Sequence, residues 1–174
     1  METLESIWLF LPHHAWAVSL DLKHAFFHIP IHAASRRYLQ FAYKGKVWQF
    51  RALPFSLSLS PWIFSMVVRE VQIIAHQRGL FLHQYLDDWL LRHQSREMLL
   101  EHRDWLMQLC EMMGLIVNLK KSDLTPSQDF LFVGYRYVTK LGMVYPQPGR
   151  IAKLRPLLAR FLSHPTQSAL QWQS

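Results

Sequence analysis

"FLHQYLDDWLLRHQ", residues 81–94, sets two adjacent aspartates, Asp87 and Asp88, inside a run that is otherwise apolar and aromatic. Buried carboxylates are costly unless they are paired or bind a cation, because leaving water penalises the charged form. The flanks predict two short strands, 80–86 and 89–92, with the acids at their junction. Two readings are open for this stretch alone. The pair is a solvated hairpin turn, where Asp is common, or it is a carboxylate site held between buried strands.

A second acid lies in a similar setting upstream. "AWAVSLDL", residues 15–22, is apolar and β-branched without helical period, and it predicts a buried strand with Asp21 near its end. A sheet placing this strand beside the 80–92 hairpin would bring Asp21 to Asp87 and Asp88. Three converging carboxylates repel one another unless cations neutralise them. Oxygen-only donors suit Mg²⁺, which takes one or two carboxylates plus substrate phosphates. Two such ions, roughly 3.5–4 Å apart, stabilise the attacking and leaving oxygens of an in-line phosphoryl displacement.

The remaining segments supply a frame. "RRYLQFAYKGKVWQFRAL" (36–53) predicts a hairpin turning at Lys44-Gly45-Lys46. A helix is expected from Pro61 to Gly79 with Ile63, Met66, Val67, Val71 and Ile74 inward. Ser95 is expected to cap a second helix over 96–113, with Leu99, Leu106 and Met113 on one face and Gly114 at its end. "LIVNL" (115–119) reads as a short strand, "KKSDLTPSQD" (120–129) as a basic turn and "FLFVGYRYV" (130–138) as a strand with which "GMVYP" (142–146) pairs back. From Pro148 a basic helix is expected, interrupted at Pro156. Strands with two covering helices make an α+β mixed sheet.

Composition narrows the partner. The chain has 174 residues, 51% of them hydrophobic and 14% aromatic, enough for one well-buried domain. Lys+Arg 19 against Asp+Glu 12 leaves a formal net charge of +7, which favours an anionic partner, nucleic acid or a membrane surface. The single cysteine, Cys110, excludes an internal disulfide and reads as a core thiol on a helix face. His28 and His32 stand four apart, but Pro30 breaks the helix that would align them on a metal. No apolar run reaches a bilayer's span, and acids, not bases, precede the short apolar core of the N-terminus. An intracellular location without a membrane partner is expected, with cytoplasm and nucleus both open.

Five blocks in order, "SLDLKHAFFHIPI", "LPFSLSLSPWIF", "QYLDDWLL", "GLIVNLKKSDL" and "FLFVGYRY", resemble the palm of a reverse transcriptase. The likeness is nearest to DIRS-type retrotransposons and more distant to hepadnaviral polymerases, and it covers roughly residues 15–140. It implies an α+β polymerase palm with an antiparallel sheet, covering helices and incomplete fingers. Residues 1–14 would be a lead-in from the fingers, 15–140 the palm with a fingers-side hairpin at 36–53, and 141–174 the start of a thumb or connection region. The implied activity is RNA-directed DNA polymerisation with two Mg²⁺ ions, Mn²⁺ being an alternative, acting on dNTP and an RNA or DNA template with its primer. Fingers and RNase H regions would belong to a longer polyprotein.

The same resemblance implies roles residue by residue. Asp21 and Asp87 would bind the metal ions, with Asp88 completing the acidic cluster. Phe26 matches the aromatic under the incoming sugar, and Phe55 and Ser56 match positions near the nascent base pair. Lys120 and Lys121 match basic residues near the triphosphate, Lys121 as general acid to the leaving pyrophosphate. Val133 and Gly134 match the hairpin that grips the primer end. Lys153, Arg155 and Arg160 would contact phosphates without reading sequence. Two departures stand out: Ser56 replaces the glycine of "LPFGL", where a positive φ would be strained, and His24 stands where an acid is common. Two other readings fit parts of the chain. One is a catalytically silent retroelement remnant that only binds nucleic acid or a partner; the other is a metal-dependent nuclease, which leaves the Phe26, "LPFSL" and "FLFVGY" blocks unexplained.

Overall fold

In the computed structural model, residue 7 and residues 9–163 are described. In chain order the strands are β1 (Trp16–Asp21), β2 (Gln40–Tyr43), β3 (Lys46–Gln49), β4 (Phe81–Tyr85), β5 (Asp88–His93), β6 (Asp123–Ser127), β7 (Asp129–Phe132), β8 (Tyr135–Val138) and β9 (Met143–Pro146). The helices are α1 (Ser60–Gln77), α2 (Arg96–Met112) and α3 (Pro148–Ser163).

The central sheet runs β4-β5-β1-β6, every neighbouring pair antiparallel. Its two middle strands carry apolar residues on both faces, Ala17, Val18 and Leu20 in β1 and Trp89, Leu90 and Leu91 in β5, because both faces are covered, which removes the alternation that a one-sided sheet would show. Val18, Leu20, Trp89 and Leu91 pack on one side against Phe64 and Val68 of α1 and Leu99 and Leu106 of α2. Ala17 and Leu90 point the other way, onto Phe130, Phe132 and Tyr137 of the β7-β8-β9 sheet. Strand 15–22 and the 80–92 hairpin are therefore neighbours, the arrangement that the carboxylate-site reading of the sequence needs. Cys110 is buried among the helix-side residues, and burial pushes its thiol up to about 12.

Several expectations need correction. On α1 the buried residues are Ser60, Phe64, Val68, Val71 and Ala75, whereas Met66, Val67 and Ile74 are exposed. The helix carries two interleaved apolar stripes. The one holding small Ser60 and Ala75 faces inward, and the Ser60 hydroxyl donates to the Pro54 carbonyl at 2.5 Å. Met113 lies past the end of α2 and is largely exposed, although Leu99 and Leu106 are buried as expected. "LIVNL" forms no strand and meets the end of β1 through an isolated bridge between Val117 and Leu22 and single backbone bonds, while the expected basic turn contains β6. Pro126 is tolerated there because β6 is an edge strand. Residues 130–138 divide into β7 and β8, and β9 pairs back on β8 as expected. Residues 33–38 form 3₁₀ turns, so the 36–53 hairpin begins only at Gln40. Pro156 lies inside α3 without ending it.

The β4 edge is closed by side chains from α1. The Leu82 carbonyl accepts from Gln72 Nε2 and from His76 Nε2, each at 3.1 Å. At the start of α2 the Ser95 hydroxyl accepts from the Met98 N–H at 3.2 Å, satisfying a donor that the helix itself leaves free. Among the described residues no helix is long and apolar enough to cross a membrane. Ser95→Ala is expected to cost about 1 kcal/mol and to lower the midpoint of a thermal melt by about 2–4 °C. An unchanged midpoint would show that water replaces the cap without loss.

Candidate active site

Asp21 ends β1 and Asp88 begins β5, and the two are direct cross-strand partners. Residues opposed in this way send their side chains to the same face. That face carries Ala17 and Leu90 further along and is the one covered by the β7-β8 hairpin. A small cleft of about 140 Å³ results, lined by Asp21, Asp88 and Lys121 on one side and Leu131 to Gly134 on the other. The backbone around Asp21 is tied on three sides. Its N–H donates to Ser122 Oγ at 3.0 Å, and its carbonyl accepts from the Asn118 N–H at 2.8 Å. The next N–H, of Leu22, donates to the Asp87 carbonyl at 2.9 Å.

The turn between β4 and β5 is only Leu86-Asp87, closed by the Tyr85–Asp88 pair. Leu86 has φ 53, a positive value at the first loop position that glycine normally supplies. A leucine held there costs on the order of 1 kcal/mol and needs an external restraint. Trp89, wholly buried, provides one: its indole Nε1–H donates to the Leu86 carbonyl at 2.9 Å. The tight turn separates its acids in space, with Asp88 in the cleft and Asp87 on the turn.

Burial and the nearby charges of Asp87 and Asp21 push the Asp88 carboxyl up to about 6, opposed by the Lys121 ammonium. Among the described residues no three His, Cys, Asp or Glu side chains approach closely enough to enclose an ion by themselves. Of the three expected carboxylates, Asp21 and Asp88 line the cleft and Asp87 stands on the adjoining turn, close enough for its charge to act on Asp88. This arrangement suits Mg²⁺, whose remaining ligands are ordinarily water and substrate phosphate. A cation would also relieve the repulsion that raises Asp88.

The other expected residues are distributed around this cleft. Val133 and Gly134 form the tip of the β7-β8 hairpin with φ 46 and 76, the signs of a type I′ turn, and both line the cleft. Lys121 lines it as well, whereas Lys120 is exposed outside it. Phe26 is buried against Phe55 and Phe64, at ring separations of 4.9 and 5.5 Å. Its neighbour Phe27 is 47% exposed and meets Phe55 edge-on, so it is the more accessible ring of the pair. Phe55 and Ser56 are exposed, and Ser56 is not at positive φ, which removes the expected strain. His24 does adopt a left-handed conformation, with φ 58. Lys153 and Arg155 are exposed on α3; the side chain of Arg160, residues 1–6 and 8 of the lead-in, and residues 164–174 lie outside the described residues.

Four positioning residues escaped the sequence reading: Trp89, Asn118, Ser122 and His28. The last bridges two segments, with Nδ1 donating to the Ala25 carbonyl and Nε2 accepting from the Ile116 N–H, both at 3.0 Å. No local pattern signals this, because Ile116 is 88 positions away.

Residues 5–137 match the family model described as reverse transcriptase (RNA-dependent DNA polymerase), and the chain belongs to that family. It is 27% identical over 144 residues to Protein P of Duck hepatitis B virus (isolate brown Shanghai duck S5), covering 82% of this chain and 18% of that protein. Protein P of Heron hepatitis B virus is 29% identical over 68% of the chain and 15% of its own length. Polyprotein P3 of Commelina yellow mottle virus is 30% identical over 64% of the chain and 6% of its own length. The chain thus spans less than a fifth of each of these relatives. Among solved structures, the foamy viral protease-reverse transcriptase dRH in complex with ds DNA superposes with a TM-score of 0.74 at 20% identity, over 89% of this chain and 26% of that one. The same kind of protein in complex with RNA/DNA hybrid gives 0.72 at 20% identity, over 88% and 20%. The palm-like fold and the hepadnaviral likeness are borne out, while the DIRS-type likeness rests on the sequence blocks alone.

Asp88 gives the metal-free fold a pH dependence of definite sign. Its folded pKa lies above the ordinary carboxylate value, so the protonated form favours folding, and that stability is lost as pH rises from about 4 through about 6. Asp88→Asn should therefore stabilise the protein in chelator at pH 8 by about 1–2 kcal/mol, after allowing for solvent around this half-buried group. In urea melts the difference should vanish near pH 4. An equal difference at both pH values would exclude charge as its cause.

Proposed function

We propose that the chain is the catalytic palm of an RNA-directed DNA polymerase from a retroelement or related virus. The reaction is attack of a primer 3′-hydroxyl on the α-phosphate of a dNTP, directed by an RNA or DNA template, with release of pyrophosphate. The observation that carries this reading is the cross-strand placement of Asp21 and Asp88 in one cleft with Lys121 and the Val133-Gly134 tip. A template–primer partner is supported by the foamy viral relatives, solved with ds DNA and with RNA/DNA hybrid. The fingers and RNase H regions would come from a longer polyprotein.

Asp21 and Asp88 would hold Mg²⁺, with Asp87 adding negative charge from the turn. When bound, the metal supplies neutralisation of the phosphates and activation of the attacking hydroxyl. The residues of the chain then serve mainly to position, which is where most of the catalysis in phosphoryl transfer lies. Val133 and Gly134 face the acids across the cleft and would hold the primer end against them. Lys121 would neutralise the triphosphate and give its proton to the leaving pyrophosphate. The Phe26-Phe27-Phe55 cluster would form the apolar wall against the incoming nucleotide, and Trp89 would keep the turn rigid through Leu86.

Primer extension on an RNA template with Mg²⁺ or Mn²⁺ tests this reading. Incorporation by the wild type should fall at least about 100-fold in Asp21→Asn and in the Asp87→Asn, Asp88→Asn double variant. Binding of primer–template without incorporation would leave only a nucleic-acid-binding module. Degradation of the template would make the site a nuclease.

A further inference from the structure

Beyond Asp21, where β1 ends, the sheet continues in an altered form. Leu22 bridges to Val117 in the antiparallel sense. A regular ladder would flank that bridge with two pairs, Asp21 with Asn118 and Lys23 with Ile116, each exchanging two N–H to C=O bonds. Each pair makes only one. The Asn118 N–H donates to the Asp21 carbonyl and the Lys23 N–H to the Ile116 carbonyl, both at 2.8 Å. The two remaining N–H groups turn to side chains. The Ile116 N–H donates to His28 Nε2 at 3.0 Å, next to the point where His24, with φ 58, takes the chain out of the sheet. The Asp21 N–H donates to Ser122 Oγ at 3.0 Å.

The second replacement differs in kind from the first. Ser122 Oγ also donates to the Asn118 carbonyl, at 2.9 Å. The acceptor that the ladder would give to Asp21 is thus still opposite it, with one hydroxyl inserted between. Direct pairing would bring the N–H nitrogen and the carbonyl oxygen to about 3 Å, and two bonds in series hold them further apart. The Asn118 carbonyl also accepts the Lys121 and Ser122 N–H groups, both at 3.0 Å, so the same oxygen anchors the turn that carries Lys121. Lys121 lines the cleft with Asp21 and Asp88, and its charge acts on Asp88. An ammonium and a divalent cation compete for the same carboxylates, and the hold of the ammonium grows as it approaches.

We infer that Ser122 is a positioning residue, a one-hydroxyl spacer that sets the distance of the Lys121 turn from Asp21 and keeps the carboxylates available to a divalent cation. Ser122→Ala takes the acceptor from the Asp21 N–H, and the Asn118 carbonyl is the replacement that the ladder geometry offers. Closing that gap draws the Lys121 turn toward β1 and its ammonium toward the acids. Ser122→Thr keeps the hydroxyl and with it the spacing. The role of Lys121 as proton donor rests on the polymerase reading. The spacer does not, since it needs only the carboxylates, the ammonium and the cation.

The test measures Mn²⁺ binding to the full chain by electron paramagnetic resonance, beside thermal melts in chelator. Ser122→Ala should weaken Mn²⁺ binding by at least about 10-fold. Its melting midpoint should fall by no more than about 2–4 °C, the loss of one net hydrogen bond. Ser122→Thr should restore most of the affinity. In a Lys121→Gln background Ser122→Ala should have little further effect, because the approaching charge is gone. Unchanged Mn²⁺ affinity in Ser122→Ala would overturn the inference, as would the absence of Mn²⁺ binding by the wild type. So would a loss that persists in full without Lys121, or one that Ser122→Thr does not repair. A larger fall in the midpoint would also count against it, since the hydroxyl would then be a prop of the fold. Primer extension separates this result from the polymerase reading: an inactive chain whose Mn²⁺ affinity depends on Ser122 keeps the spacer and loses only the reaction.

Discussion

The pairing of β1 with β5 is the constraint on which the rest of the structure depends. Both strands are covered on both faces, by helices on one side and by the β7-β8-β9 sheet on the other. A slip of one residue would turn Leu20 and Trp89 into the cleft and force Asp21 and Asp88 toward the helices. Hydrophobic burial therefore sets the position of the carboxylates more strictly than any interaction between the carboxylates could. Their mutual repulsion is tolerated because the register is secured elsewhere.

Two unfavourable features lie within four residues of each other. Leu86 has a backbone conformation better suited to glycine, and Asp88 is partly desolvated beside two like charges. Trp89 sits next to both, buried in the helix-side core and bonded to the Leu86 carbonyl. Its packing holds the turn in place, so conformational strain and electrostatic strain share one support. This concentration of cost is what a preorganised site requires: the acids are fixed before any ligand arrives.

Much of this was legible in the chain. The apolar strands around Asp21 and Asp87-Asp88, the Ser95 cap and the Gly45 turn are local patterns with local causes. What stayed hidden depends on partners distant in sequence. The inward stripe of α1 could not be chosen from periodicity, since Met66 and Ile74 are as apolar as Phe64 and Val68; it is the stripe that carries Ser60, bonded to the Pro54 carbonyl, and Ala75, buried in the core. β6 was masked by Pro126, which only an edge position permits. The different placement of Asp87 and Asp88 follows from a two-residue loop whose length the sequence leaves open. Phe26 and Phe27 are adjacent aromatics, and only the packing of Phe55 and Phe64 separates them.

The two α1 side chains on the Leu82 carbonyl have a consequence for the protein in a crowded solution. An antiparallel newcomer at β4 would need that oxygen as its acceptor, and Gln72 and His76 already occupy it. Sheet growth is thus discouraged at the β4 edge around Leu82, without a charged residue pointing inward or a proline in the strand. The helix that packs the core also works as a guard against aggregation. That protection lasts while α1 stays docked, and because Phe64 and Val68 belong to the core, uncovering this edge requires opening the core itself.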